Sequence, residues 1–294
     1  MEQIIQKAAG MVEALPFIQQ FRNETVVVKF GGSIMDDEDA CRSILQDVAF
    51  MEVVGLRPVV VHGGGKTISR CMQELDLEPR FHHGLRVTDE ASMAVVEEAL
   101  NSRVNPAMVA MVAGFSCRAI GVHGQDILTA VRHTAVDPET GQEMDWGYVG
   151  EVADVDTGPI QSALDAQSVP VITPIGRGRD GKLYNINADE AAAAIARALK
   201  ARKLVFLSDV PGVLADPGDA GSIISHIETG NVEHMIRDGI LSGGMIPKNP
   251  WSTLREVRRY KIGMISAAEL GKQLELKHGP DLSQNYLGYA QKSA

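Results

Sequence analysis

The residues best placed to do chemistry are two lysines, an arginine, a carboxylate and two sets of glycines. Lys29 closes a run of valines, Val26-Val27-Val28-Lys29-Phe30, and runs straight into Gly31-Gly32-Ser33. A second run, Val59-Val60-Val61-His62, empties into Gly63-Gly64-Gly65. Such short β-branched runs predict strands buried on both faces, as in a parallel sheet covered by helices. Glycines at their carboxyl ends let backbone N–H groups approach an anion with no Cβ in the way. Two such turns side by side would cradle phosphates where open α/β sheets bind ligands. A buried lysine is costly unless it meets negative charge, so Lys29 is expected to face a ligand rather than a purely structural partner.

Further along, Gly243-Gly244-Met245-Ile246-Pro247-Lys248 is another glycine turn ending in a lysine. Alone it could be a simple helix start; beside Lys29 it supplies the second cation that phosphoryl transfer needs. Arg86, in Gly84-Leu85-Arg86-Val87-Thr88, offers a planar fork for a carboxylate, or is an ordinary surface arginine. In Asn185-Ile186-Asn187-Ala188-Asp189 the polar residues alternate, so all three would share a face if a strand ran on. Asn187 equally suits an N-cap, and Asp189 a carboxylate stabilised at a helix start.

Three other patterns resolve to plainer readings. Gly63-Gly64-Gly65-Lys66-Thr67 resembles the end of a phosphate-binding P-loop, but Val60 stands where its first glycine belongs. Gly176-Arg177-Gly178-Arg179-Asp180-Gly181 matches the dinucleotide fingerprint by letters yet leads into a strand, so a hairpin is expected. His82-His83 has no carboxylate or cysteine at ligand spacing and is expected in a solvated loop.

The elements that would position these residues alternate along the chain. Strands are predicted at 26–30, 58–62, 117–122, 168–173 and 203–207. Helices are predicted at 37–54, opened by Asp36 to Asp39, at 66–75, at 89–113 behind a Thr88 cap, and from Ala188 to Arg202. A hairpin is expected around 137–141. Ile4, Ile5, Ala8, Met11, Val12 and Leu15 make the first 23 residues an amphipathic helix rather than a signal peptide, with Pro16 kinking or ending it. The alternation predicts a mainly parallel sheet with helices on both faces.

Bulk properties narrow the partners. The 294 residues could build one large α/β domain or two lobes. A net charge of −10 argues against nucleic acid, so an anionic ligand would need a locally basic pocket. No apolar run is long enough to span a membrane. Cys41, Cys71 and Cys117 fit neither a metal spacing nor a disulfide framework, which predicts a reducing, cytoplasmic setting.

Taken together, VVVKFGGS, VVVHGGGKTIS, HGLRVTD, GYVGEV, LYNINADEAA, LVFLSDVPGVL and SGGMIPK follow the order seen in acetylglutamate kinases of the amino-acid kinase superfamily. The resemblance runs from residue 1 to about residue 248. It implies an α/β fold, a three-layer αβα sandwich around a mainly parallel open sheet, with an N-terminal helix. It also implies transfer of the ATP γ-phosphoryl group to the γ-carboxylate of N-acetyl-L-glutamate, with Mg²⁺ held by the nucleotide rather than by a protein metal site.

The same resemblance implies the site. Lys29 and Lys248 would stabilise the transition state, with Asp189 orienting both. Gly31, Gly32, Gly64 and Gly65 would donate N–H groups to phosphates and substrate, and Arg86 and Asn185 would hold the acyl substrate. Ser208, Asp209, Gly212 and Leu214, with Leu241 and Ser242, would line the nucleotide. Residues 1–23 would be an oligomerisation helix, 24–177 an acyl-substrate lobe and 178–294 a nucleotide lobe, in a dimer or a hexamer of dimers. Beyond Lys248 the family's histidine- and leucine-rich stretch with its Gly-x-Gly-Thr close is absent. A basic helix pattern to Lys261 and a polar tail replace it. A kinase for a homologous acid such as N-acetyl-α-aminoadipate, and an inactive regulatory module of the same fold, are the competing readings.

Overall fold

The computed structural model of the chain describes residues 12, 14–16, 18–82, 84–136, 143–207, 213–216, 218–219, 221–224, 232–238 and 261–264. The chain alternates as its valine runs demand. β1 (Thr25–Phe30) leads through a short 3-10 turn, Gly32–Asp36, to α1 (Glu38–Val53), and β2 (Arg57–His62) leads to α2 (Gly65–Glu74). The hairpin of β3 (Arg80–His82) and β4 (Leu85–Val87) precedes α3 (Glu90–Glu97). Seven residues of π-helical winding, Glu98–Val104, join α3 to α4 (Asn105–Ala113). Then come β5 (Ala119–Val122), β6 (Leu128–Arg132), the pair β7 (Ala135–Val136) and β8 (Glu143–Met144), β9 (Val149–Val155) and α5 (Gly158–Asp165). β10 (Val169–Ile172), β11 (Ile175–Gly178), β12 (Leu183–Ile186), α6 (Ala188–Ala198), β13 (Lys203–Leu207), α7 (Val232–Arg237) and β14 (Lys261–Met264) complete the order.

Six strands form one sheet in the order β14-β13-β1-β2-β10-β5, and every pairing in it is parallel. Both faces of this sheet are covered. Val26, Val28, Phe30 and Val60 pack with Leu45 and Val48 of α1 and Met108 and Val112 of α4. Val27, Val59 and Val61 pack on the opposite side with Ile160 of α5 and the alanines of α6. The residues alternate between the two cores because strand side chains alternate in direction. The three-layer αβα architecture follows, as expected. Ala191 to Ala194 are all buried, and their small side chains bring α6 close to β1.

Several expectations need correcting. Asp89, not Thr88, caps α3 by accepting from Ser92 N, while the buried Thr88 hydroxyl donates to Arg86 O. The strand before α6 does not run on: it ends at Ile186, and Asn187 Oδ1 caps the helix by accepting from Asp189 N and Glu190 N. The Gly176–Gly181 stretch is the expected hairpin, β11 against β12. Those strands, with β6 and β9, also close a four-stranded barrel that the sequence pattern did not show. His82 lies in strand β3, half-buried beside Trp146 with ring centroids 5.9 Å apart, not in a solvated loop; His83 lies outside the described residues. Part of the expected polar tail, Lys261–Met264, adds a strand to the sheet edge beside β13. Residues 14–16 and 18–21 are helical, so the helix pattern resumes beyond Pro16; residues 1–11 lie outside the described residues. The expected hairpin tip at 137–141 also lies outside them, though β7 and β8 pair antiparallel on either side.

Candidate active site

β1 lies between β2 and β13, and the helices that follow it and precede β13 sit on opposite faces of the sheet. Ligands of open α/β sheets bind in the crevice at the carboxyl end of such a switch point. The two glycine turns open there together. Gly63 N donates to Phe30 O at 2.9 Å, and a Cβ on Gly31 would lie 3.3 Å from Gly63 Cα. The backbones lie so close that a Cβ at either position would press on the other glycine's backbone. Gly32 has φ +64°, and a Cβ there, as at Gly65, would meet nothing within 4 Å. These two glycines therefore face open space.

Lys29 points to the α6 face of the sheet, in register with Val61 and Phe206. Its Nζ lies 2.8 Å from Asp189 Oδ1, and the two side chains are 16 % and 30 % exposed. Asp189 is in the first turn of α6, where a carboxylate is favoured by the helix dipole. The lysine meets its negative partner while keeping part of its surface open to the crevice. Lys66, in the first turn of α2, pairs with Asp36 at the end of the turn after Gly32, tying the segments downstream of the two glycine turns together.

Arg86 is buried rather than on the surface. Its Nη2 donates at 2.8 Å to both Gly65 O and Ser69 Oγ, and Nη1 reaches Met72 Sδ at 3.3 Å. Phe81 covers the guanidinium 4.6 Å away, and burial lowers the Arg86 pKa. Arg86 thus clamps the β3–β4 hairpin to the start of α2. Asn185 Nδ2 donates to Thr88 Oγ1 at 3.2 Å, which brings β12 against the end of that hairpin. The structure so gathers Lys29, Asp189, Gly31, Gly32, Gly64, Gly65 and Arg86 around the carboxyl ends of β1 and β2, with Asn185 joined to the Arg86 hairpin through Thr88.

Of the expected nucleotide residues, Ser208, Asp209, Gly212, Leu241 and Ser242 lie outside the described residues, as does Lys248. Leu214 is described: it bridges to Ile223 in a short hairpin in which Ile224 N donates to Val213 O at 2.8 Å. Sequence reasoning missed three polar residues behind the site: His62, Asn105 and Glu190. His62 carried a signal, a histidine ending a buried valine run before three glycines; Asn105 carried none. Glu190 Oε1 accepts from Val152 N at 2.8 Å, and burial pushes its pKa up to about 7. Among the described residues no cluster of three or more His, Cys, Asp or Glu side chains is arranged to hold a metal. Cys41, Cys71 and Cys117 are buried free thiols. No helix among the described residues is long and apolar enough to cross a membrane.

Comparison with known proteins gives the same picture at the level of the whole chain. Residues 24–265 match the Amino acid kinase family model. The chain is 45 % identical over 249 residues to the acetylglutamate kinase of Symbiobacterium thermophilum, covering 84 % of this chain and 85 % of that protein. It is 40 % identical over 272 residues to the acetylglutamate kinase of Methanothermobacter thermautotrophicus, covering 90 % and 92 %. The N-acetylglutamate synthase of Neisseria gonorrhoeae, solved with coenzyme A and N-acetyl-glutamate, shares the fold: TM-score 0.74, 23 % identity, covering 92 % of this chain and 60 % of that one.

Proposed function

The chain belongs to the amino acid kinase family and, within it, to the acetylglutamate kinases, and on that premise we propose how its site works. The protein transfers the γ-phosphoryl group of ATP to the γ-carboxylate of N-acetyl-L-glutamate, a step of arginine biosynthesis. The observation that carries this reading is the Lys29–Asp189 pair at the mouth of two touching glycine turns, in a chain 45 % identical to an acetylglutamate kinase.

The attacking carboxylate already carries its charge, so no strong general base is needed. Catalysis rests on holding two anions in line and neutralising the charge that builds between them. Lys29 supplies one cation, and Asp189 fixes its direction. Lys248 would supply the other. Gly31 and Gly32, the second of which faces open space, donate backbone N–H groups to the nucleotide, and Gly64 and Gly65 to the acyl substrate. Arg86 and Asn185 shape the acyl pocket, while Ser208, Asp209, Gly212, Leu214, Leu241 and Ser242 line the nucleotide. Mg²⁺ would enter with the nucleotide and add positive charge to its phosphates; Asp189, engaged by Lys29, would serve the lysine rather than the metal. Residues 24–177 serve as the acyl lobe and 178–294 as the nucleotide lobe. The chain works in the cytoplasm as a homo-oligomer, a dimer or a hexamer joined through its N-terminal helix.

Trapping the acyl phosphate with hydroxylamine tests the reading. Hydroxamate formed from N-acetyl-L-glutamate and ATP is the expected result. Hydroxamate formed only from N-acetyl-α-aminoadipate would reassign the substrate, and none from either acid would leave a non-catalytic module. Lys248→Ala should lower kcat by roughly 10²-fold and leave ATP binding nearly unchanged.

A further inference from the structure

Behind the second glycine turn is a chain of four polar groups whose directions are mutually determined. Val171 O can only accept, so the Asn105 side-chain atom 2.8 Å from it is Nδ2. The same Nδ2 lies 3.1 Å from His62 Nε2, which must then accept. The proton of the neutral ring is therefore on Nδ1, and Nδ1 lies 2.7 Å from Gly63 O, an acceptor. Both ends of the relay require the same tautomer. His62 is fully buried, and that burial lowers its pKa to about 4, so the ring stays neutral at physiological pH.

The consequence falls on the next residue. In a trans peptide the C=O and the N–H lie on opposite sides of the bond. With the Gly63 carbonyl drawn toward the His62 ring, the Gly64 N–H is turned away from that ring. Among the described residues this buried N–H has no hydrogen-bond acceptor. An orphaned buried donor is rare and costly unless a ligand satisfies it. Support also comes from below: a Cβ on Gly64 would collide with Leu100 Cδ2. Leu100 belongs to the π-helical winding Glu98–Val104, and Asn105 is the first residue after it. That widened turn sets both residues in place under one loop, and π-helical turns of this kind concentrate at functional sites.

We propose that His62 and Asn105 are positioning residues that aim the Gly64 N–H at the acyl substrate, with the π-helical turn setting their register. This rests on the kinase reading above and adds the groups that orient its glycine donor. Neither side chain touches substrate; both act through the Gly63–Gly64 peptide.

Two measurements test it separately from the activity itself. Imidazole ¹⁵N NMR of the intact wild-type protein should show His62 as the neutral Nδ1–H tautomer between pH 5.5 and 8, about 1.5 units or more above its lowered pKa. An Nε2–H tautomer or a protonated ring would overturn the proposal, whatever the enzyme turns over. Substitution then follows the consequence. His62→Gln keeps an N–H donor for Gly63 O, whereas His62→Leu has a similar volume and none. The Leu variant should lose roughly tenfold or more in kcat/KM for N-acetyl-L-glutamate relative to the Gln variant. KM for ATP should stay within about twofold in both. Equal losses in the two variants, or a matching rise in KM for ATP, would overturn it. Should the Leu variant fail to fold, Asn105→Asp replaces it, because that change reverses the polarity of the relay at constant shape. Its ring tautomer should change and the Gly64 amide resonance should no longer respond to N-acetyl-L-glutamate; an unchanged response would overturn the proposal. Absence of turnover in the wild-type protein would instead count against the kinase reading and leave the tautomer to the NMR result.

Discussion

Lys29 Nζ and Asp189 Oδ1 are 2.8 Å apart, although 160 residues separate them in the chain. The contact exists because Lys29 shares a strand face with Val27, which α6 covers, and because Asn187 starts α6 where Asp189 enters its first turn. One ion pair joins the first strand of the sheet to the helix on its opposite side of the crossover. Partly exposed pairs contribute little to stability, so its value is directional.

Asp189→Asn should therefore be a kinetic variant and not a folding one. It keeps the shape and removes the charge that orients Lys29, so kcat should fall by about 10²-fold. The melting temperature should change by only a few degrees, because both side chains keep part of their surface in water, at 16 % and 30 % exposure, and the asparagine oxygen can still accept from Lys29. Steady-state kinetics and a thermal melt on the same preparation decide this. A variant with wild-type kcat would remove Asp189 from the mechanism.

What could be read in the sequence, and what could not, divides along physical lines. Strand β13 falls at its predicted residues, and β1, β2 and α1 within a residue at each end, because their patterns are local: a valine run, a glycine stop, an acidic cap. The π-helical turn at Glu98–Val104 is invisible in that code, since its backbone bonds run i→i+5 rather than i→i+4 while its residue types are those of an ordinary helix. The barrel of β6, β9, β11 and β12 escaped for a related reason. β6 and β9 leave much of their length unburied, and apart from the β11–β12 hairpin the barrel strands pair between segments that no tight turn joins. At the site, Lys29 and the glycines stood out because a cation in an apolar strand, and glycines at the end of one, are conspicuous. Arg86 looked like a possible surface residue because nothing local shows that Phe81, Ser69 and Met72 enclose it.

The neighbouring glycines at the start of α2 should respond differently to one added methyl. At Gly64 the methyl meets buried Leu100, so Gly64→Ala should destabilise the protein by about 1–3 kcal/mol, as overpacking does. At Gly65 it meets nothing within 4 Å and lies at a helix start, so stability should hold. The same methyl would occupy the space assigned to the acyl substrate, raising KM for N-acetyl-L-glutamate roughly tenfold. Denaturant midpoints and KM values for both variants provide the comparison, and a destabilised Gly65→Ala protein would contradict it.

Arg86→Lys should fail despite keeping the charge. A single ammonium cannot span Gly65 O, Ser69 Oγ and Met72 Sδ together, nor stack flat against Phe81. Losing two hydrogen bonds at a buried group should cost about 1–3 kcal/mol and loosen the hairpin from α2. KM for the acyl acid should rise while KM for ATP stays put. A variant with normal stability and a normal KM would mean that the fork geometry is unimportant here.

Glu190 should give the protein a pH-dependent stability with a definite sign. Burial raises its pKa from 4.5 to about 7, Glu151 adds to the rise, and the Val152 N–H partly offsets it. Below pH 4.5 the group is protonated in both folded and unfolded chains, so its contribution is fully present and does not vary with pH. Between 4.5 and about 7 the folded state keeps a proton that the unfolded chain releases, so this contribution is lost as pH rises. Asp47, raised by burial to about 6, acts in the same direction over a lower window. His62 acts oppositely, because its pKa is lowered from 6.5 to about 4, so the wild-type curve mixes the three. Comparison with Glu190→Gln isolates the carboxyl, since glutamine can still accept from Val152 N. The variant should match wild type near pH 4.5 in urea midpoint and exceed it at pH 8, with the gap opening through pH 7. A gap that stays constant from pH 4.5 to 8 would mean that Glu190 titrates normally and is not held neutral by its surroundings.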